Sequence, residues 1–137
     1  MKNLKNFNSF LLESQSSDSI DSICKKYLTI KFNKNQKFKN CGKYNNISIK
    51  IINREKVSED KPEWNNYIGS HHWGKKTSYI PEDEIWISGG LDPKTFRRVL
   101  NHEIIEREMM RSLQEEKGMD PQTSWEKAHY YVKQMGF

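Results

Sequence analysis

Apolar and polar side chains alternate along two stretches of the first half of the chain, YLTIKFN at 27–33 and NISIKIIN at 46–53. The alternating apolar positions are Leu28, Ile30 and Phe32 in the first stretch and Ile47, Ile49 and Ile51 in the second. A period of two residues is typical of strands that bury one face. The turn-rich segment between them leaves room for a weaker strand around Phe38, and a further strand is predicted from Glu84 to Ser88, ahead of two glycines.

The clearest helix signals lie between Asp92 and Gly118. Asp92 is a good N-cap, Pro93 suits the first helical position, and Gly118 follows Lys117 as a stop. These signals predict a long helix from about Pro93 to Lys117.

A second helix is predicted close to the end of the sequence. The run Thr123-Ser124-Trp125-Glu126 has the form of a capping box, in which the Thr and Glu side chains satisfy each other's exposed backbone N–H groups. This helix should reach about Met135. The expected fold class is therefore α+β, with a small, mostly antiparallel sheet packed on a long helix and a shorter C-terminal helix.

The length of 137 residues suits one domain with a real core. Residues 14–22 are rich in Ser, Asp and Gln and lack apolar periodicity, so residues 1–22 are expected to form a leader and flexible linker. Residues 23–137 are expected to form the single folded domain.

The long helix places ionisable groups where its apolar side should be. At about 100° per residue, His102, Glu103 and Glu106 fall within the apolar arc. That arc is defined by Phe96, Val99, Leu100, Met110 and Leu113. Burying an unpaired carboxylate costs several kcal/mol unless a cation or a hydrogen-bond network compensates. A divalent metal would supply that compensation.

His102 and Glu106 are four residues apart, so they project from one helix face, as in the zinc-binding H-E-x-x-H motif with glutamate in place of the second histidine. Catalytic zinc commonly takes two His and one Glu plus a water. The best third ligand is His129, which lies on the apolar stripe of the second helix. One Zn2+ per chain is hypothesised, with Glu103 as the base that takes a proton from metal-bound water.

Several alternatives remain at this stage. The inward-facing groups would also fit a buried His–carboxylate network without metal, a metal that only stabilises the fold, or an ion pair of Glu103 with Arg107. His71 and His72 are rival third ligands or substrate contacts, or plain loop residues. Tyr130, beside His129, is a candidate contact to the substrate.

The net charge of +5 hides a local basic block. Residues 24–56 contain ten Lys or Arg and a single acid, Glu55. Interleaved with aromatic residues, such a block could bind nucleic-acid phosphates, or it could be a solvated surface that discourages edge-to-edge aggregation. The candidate contacts are Lys25, Lys26, Lys31, Lys34, Lys37, Lys39 and Lys43.

Other compositional features exclude some classes of protein. Cys24 and Cys41 form no C-x-x-C pair, which disfavours a thiolate metal site and favours a reducing compartment. No apolar run approaches the ~20 residues of a membrane span, and the start has no signal-peptide cleavage site, so neither membrane insertion nor secretion by a signal peptide is expected.

From Tyr67 onward the chain resembles a family of small, mostly phage-encoded proteins with an H-E-x-x-E helix and a downstream A-H helix. The stretches that carry the resemblance are YIGSHHW, IPEDEIWIS, LDPKTFRRVLNHEIIEREM and SWEKAHYYV. That family is regarded as zincin-like and as a group of candidate metal-dependent peptidases acting on peptides or proteins. The resemblance implies His102, Glu106 and His129 as ligands and Glu103 as base.

The start, MKNLKNFNSFLLES, is similar to the N-terminal peptides of T4-like phage proteins that are directed into the phage head. Some of those peptides are cut after Leu-x-Glu, which Leu11-Leu12-Glu13 matches, although a plain amphipathic leader fits as well. The resemblances imply a zinc metallopeptidase of phage origin, located in the host cytoplasm or the phage particle. The alternative is a non-catalytic virion or nucleic-acid-associated protein whose metal site is structural or absent.

Overall fold

The computed structural model describes residues 17–137. The expected leader cleavage after Glu13 lies outside the described residues. The helices are α1 (Ile20–Tyr27), α2 (Arg54–Asp60), α3 (Pro93–Glu115) and α4 (Pro121–Gln134), with a short 3-10 helix at Pro62–Asn65. The strands are β1 (Phe38–Tyr44), β2 (Ile47–Ile52), β3 (Gly69–His71) and β4 (Glu84–Ser88).

The four strands form one mixed sheet in the order β1-β2-β4-β3. The outer pairings, β1 with β2 and β3 with β4, are antiparallel, whereas β2 and β4 run parallel. The parallel pairing is possible because α2, the 3-10 helix and β3 connect β2 to β4. Strand β3 runs opposite to β4, so it returns the chain to the end of the sheet at which β2 begins. The predicted α+β class is confirmed, and the sheet is mixed, with two antiparallel pairings to one parallel pairing.

The main core lies between the sheet and helix α3. Ile51 pairs with Ile87 across the central strands, and both are fully buried, which contributes about 2 kcal/mol or more for each side chain. Helix α1 covers the same face, where the Tyr27 ring stacks on Phe96 with 3.8 Å between the ring centroids. A smaller cluster centred on Trp64 covers the opposite face of the sheet. Both faces of the sheet are therefore covered, and α3 packs on the face that carries the main core.

The prediction of a strand at 27–33 is wrong. Helix α1 ends at Tyr27, and Leu28 is 61% exposed in the turn that follows. Ile20, Ile23 and Tyr27 are spaced by three and four residues, so they present one apolar face to the core, and this helical pattern overrides the alternation that begins at Leu28. The expected boundary between the linker and the domain, after residue 22, falls inside α1.

The strand predicted as weak around Phe38 is the full seven-residue strand β1. It joins β2 through Asn45 and Asn46, both of which have positive φ, as a tight turn between antiparallel strands requires. The strands predicted at 46–53 and at Glu84–Ser88 are confirmed as β2 and β4.

Both predicted C-terminal helices are confirmed, but the N-cap predicted for the second is wrong. Asp92 caps α3 by accepting a hydrogen bond from the backbone N–H of Thr95. The N-cap of α4 is Asp120 rather than Thr123, whose backbone N–H donates to the Asp120 side chain. The Asp-Pro pair that starts α3 is thus repeated at the start of α4. None of the helices within residues 17–137 has both the length and the apolar composition needed to cross a membrane.

Candidate metal centre

The buried face of α3 brings His102 and Glu106 together. The two residues lie one turn apart, and the Nε2 atom of His102 is 2.8 Å from the Oε2 atom of Glu106. His129 of α4 approaches the same carboxylate oxygen, with its Nδ1 atom 3.1 Å away. Two imidazole nitrogens and one carboxylate oxygen therefore converge, as the sequence predicts.

Helix α4 is held against α3 by a polar bridge and an apolar cluster. Gln114 of α3 donates hydrogen bonds to the main-chain oxygen of Trp73 at 3.1 Å and to the Ser124 hydroxyl at 2.8 Å. Met110, Ala128 and Trp73 pack together beside this bridge. The Trp125 ring stacks on the His129 imidazole with 4.7 Å between centroids. These contacts fix the direction in which His129 points.

The hydrogen bond made by one imidazole nitrogen of His102 determines whether the other nitrogen carries a proton. Its Nδ1 atom lies 3.2 Å from the main-chain oxygen of Phe137, which can only accept a hydrogen bond, so Nδ1 carries a proton. In a neutral imidazole, Nε2 is then a lone-pair acceptor, and it faces the carboxylate of Glu106, which is also an acceptor. Two acceptors at 2.8 Å require either a proton or a bound cation between them.

His71 approaches Glu106 from the other side. This residue of β3 is fully buried, and its Nε2 atom lies 3.3 Å from the Oε1 atom of Glu106. Its Nδ1 atom has no hydrogen-bond partner within the described part of the chain. Burial lowers the pKa of His71, although the hydrogen bond to Glu106 opposes that effect.

Glu103 lies beside this cluster, where α3 passes close to Gly69 of β3. Its carboxylate Oε2 atom is 4.0 Å from the Nε2 atom of His102. A Cβ atom built on Gly69 would lie 2.8 Å from a Val99 methyl and 2.9 Å from the Cγ atom of Glu103. Residue 69 must therefore be glycine for the helix to bring Glu103 this close to the edge strand.

Burial shifts the two carboxyl groups in opposite directions. Burial, together with the negative charge of Glu106, raises the pKa of Glu103 well above its usual range. Burial would also raise the pKa of Glu106, but the close contacts of its carboxylate with the imidazoles of His102 and His71 hold it below its ordinary value. Neighbouring carboxyl groups with separated pKa values are a common feature of sites that move protons.

Two sets of residues meet the distance requirement for holding a cation. The potential ligand atoms of His102, Glu106 and His129 lie within 4.8 Å of one another, and so do those of His71, Glu103 and Glu106. Glu106 belongs to both sets, and it faces the histidines of the first set with Oε2 and His71 with Oε1. The first set has the two-His, one-Glu composition typical of catalytic zinc.

A cavity of about 300 Å3 opens beside the cluster. Its lining includes all the first-set residues together with Glu103, Trp125 and residues of β3. The cavity is large enough to admit a small ligand or part of a larger one.

Other residues predicted for the site lie elsewhere. His72 points away from Glu106, because its Nδ1 atom donates to the main-chain oxygen of Ile80 at 2.8 Å. Tyr130 is 67% exposed and is not among the residues that line the cavity. Arg107 is not the partner of Glu103, since its guanidinium donates to the main-chain oxygen of Glu82 at 2.6 Å. Of the two histidines, only His71, the last residue of β3, reaches Glu106, whereas His72 lies in the turn that follows the strand.

The candidate nucleic-acid contacts are distributed over α1, β1 and the segment between them. Most are exposed, whereas Lys39 is half-buried. Lys37 forms an ion pair with Asp60 at 2.6 Å, so its charge is already compensated. Nucleic-acid binding through residues 24–56 stays a prediction.

Comparisons of the chain with protein-family models, with curated proteins and with solved structures give no match.

Proposed function

We propose that the protein is a zinc-dependent hydrolase, most simply a metallopeptidase, in which His102, Glu106 and His129 hold one Zn2+. The observation that carries this proposal is the pairing of acceptors at Glu106. The lone-pair nitrogen of His102 faces the Oε2 atom of Glu106 at 2.8 Å, while the Nδ1 atom of His129 lies 3.1 Å from that oxygen. A divalent cation satisfies all three groups at once, in their ordinary charge states.

The ligand set favours a catalytic site over a purely structural one. Structural zinc usually has four protein ligands, and catalytic zinc has three plus a water whose pKa it lowers to about 7. The nearby fourth candidate, His71, contacts the other oxygen of Glu106 and belongs to the second set of residues. The proposed site therefore keeps one position open toward the cavity.

Surrounding contacts orient each ligand. The main-chain oxygen of Phe137 fixes the tautomer of His102, and the Trp125 ring fixes the plane of His129. His71 holds the second oxygen of Glu106. Partners of this kind strengthen metal binding because the ligands lose little freedom when the ion arrives.

Glu103 is the proposed general base. It lines the cavity, is 6% exposed, and its carboxylate lies 4.0 Å from the Nε2 atom of His102. From that position it would accept a proton from the attacking water and deliver it to the leaving group.

A peptide is the substrate that best suits the wall of the cavity. Gly69 and Ser70 of β3 line the cavity, and β3 is an edge strand of the sheet. The outer side of an edge strand offers backbone groups with which an extended peptide can pair. A mixed sheet beside a His-Glu helix, with the third ligand on a second helix, supports a zincin-like fold as part of this proposal.

The proposal is tested by metal-dependent cleavage of a fluorogenic peptide library. The purified chain, without a histidine tag, is expected to cleave some members of the library when zinc is present. A zinc chelator should abolish the cleavage, whereas a non-chelating isomer of that compound should leave it unchanged. Cleavage that survives chelation, or no cleavage by zinc-loaded protein, would contradict the proposal.

A further inference from the structure

The cavity beside the candidate metal centre has a basic mouth. Lys75, Arg98 and Lys133 all line the cavity, and all three are exposed. They come from three separate segments, namely the connection between β3 and β4, helix α3 and helix α4. The two acids in the lining, Glu103 and Glu106, are both buried beneath them.

Two of these cations lie one helical turn from a proposed metal ligand. Arg98 lies four residues before His102 on α3, and Lys133 lies four residues after His129 on α4. Residues four apart project from the same helix face, one turn from each other. Each ligand helix therefore carries a cation about one turn from its histidine.

The position of the third cation, Lys75, is set by a contact with an aromatic ring. The ammonium group of Lys75 lies 3.9 Å from the centroid of the Trp125 ring, and that ring stacks on His129. A cation over an indole face is attracted by about 0.5–1 kcal/mol at exposed sites, which favours this conformation of an otherwise mobile side chain. The charge of Lys75 is thus held over the ring that stacks on His129.

The three cations are not compensated by ion pairs with any acid in residues 17–137. Elsewhere the surface does pair its cations, for example Arg111 with Glu108 and Glu115, and Arg97 with Asp21. Three unpaired cations around one opening attract anions and repel basic ligands.

We propose that Lys75, Arg98 and Lys133 form a subsite for an oxyanion, a carboxylate or a phosphate group, carried by the substrate. The inference rests on the proposed function, because it specifies the charge of the substrate at the same site. The three cations and the candidate metal ligands line one cavity, so a substrate held by its oxyanion at the mouth extends into the cavity that contains the candidate metal centre. The substrate class is accordingly an acidic peptide or a phosphorylated one, and basic peptides are disfavoured.

The test measures anion binding to the metal-free protein at low ionic strength, where screening is weak. Inorganic phosphate and glutarate are titrated separately, and amide NMR shifts report where each binds. The variant Lys75→Ala/Arg98→Ala/Lys133→Ala is compared with Lys76→Ala/Lys94→Ala/Lys127→Ala. The second variant removes the same charge from exposed positions outside the cavity.

Saturable binding with shifts around the cavity is expected for the parent. Affinity should fall by about ten-fold or more in the first variant and by less than about two-fold in the second. Binding of phosphate alone indicates a phosphorylated substrate, and binding of glutarate alone indicates a carboxylate. Equal weakening in both variants, or no saturable binding of either anion, would overturn the inference.

The design separates this inference from the proposed function. Zinc is absent from the titration, so failure to bind zinc leaves the anion result intact. Conversely, a zinc-loaded protein that cleaves peptides yet binds neither anion would overturn the subsite while supporting the hydrolase.

Discussion

Replacing Glu103 with glutamine should leave zinc bound and lower kcat/KM for peptide cleavage by about 100-fold or more. The amide has nearly the same size, so it preserves the packing of Glu103 against Gly69 and Val99. It cannot accept a proton in the way a carboxylate does, and loss of a general base typically costs about 10²–10⁴-fold in rate. The measurement is steady-state cleavage of the best library peptide, with zinc content determined on the same samples.

The matched control is Glu115→Gln, which removes one carboxylate from the exposed side of the same helix. It should retain parental activity. If Glu103→Gln remained fully active, Glu103 would not be the base. If Glu103→Gln instead lost its zinc, Glu103 would be a ligand, and the set formed by His71, Glu103 and Glu106 would be the metal site.

Replacing His102 or His129 with alanine should remove most of the stabilisation that zinc gives to the fold. At free zinc of 100 times the parental Kd, the free energy of unfolding should rise by about 2.7 kcal/mol in the parent. Loss of an outer partner of a metal ligand lowers affinity about 10–100-fold, so loss of a ligand itself should reach at least about 100-fold. The stabilisation by the same zinc concentration would then be about 0.4 kcal/mol or less.

Urea denaturation of each variant, with and without zinc, provides this measurement. Comparing the zinc-dependent increment within one variant cancels any loss of stability that the substitution itself causes. The control is His72→Ala, because His72 points to the main-chain oxygen of Ile80 and away from Glu106. An equal loss of the increment in His72→Ala, or a full increment in His102→Ala, would contradict the assignment of the ligands.

The long helix and its inward-facing groups could be predicted because local signals agree there. Asp92 and Pro93 mark the start of α3, and a 3.6-residue period places His102 and Glu106 on the apolar side. The contact between them follows from their spacing alone. His129 could be paired with them because a short connection returns α4 along α3.

Other parts of the fold required information that sequence patterns do not contain. Around α1 the sequence has a helical pattern of apolar residues that is followed directly by an alternating pattern. The burial of Tyr27 against Phe96 favours the helix. Strand order and the parallel pairing of β2 with β4 depend on contacts far apart along the chain. The sequence favoured neither His71 nor His72, since a strand of three residues has no readable period.

The position of Glu103 shows how a glycine can determine a site. Gly69 gives no periodic or motif signal, yet its missing side chain is what lets α3 approach the edge strand. The cations at the mouth of the cavity likewise give no periodic or motif signal in the sequence. Lys75 lies in a connection between strands, and only the fold brings it to Trp125, whose ring stacks on His129.

The central claim is that a metal ion, rather than a proton, compensates the acceptors that meet at Glu106. Elemental analysis of the purified chain without a histidine tag, after dialysis against zinc and then against buffer alone, tests this claim most directly. The expected result is about one zinc per chain in the parent and in His72→Ala, with little in His102→Ala or His129→Ala. No zinc retained by the parent would contradict the claim and would leave the cluster as a buried imidazolium–carboxylate network.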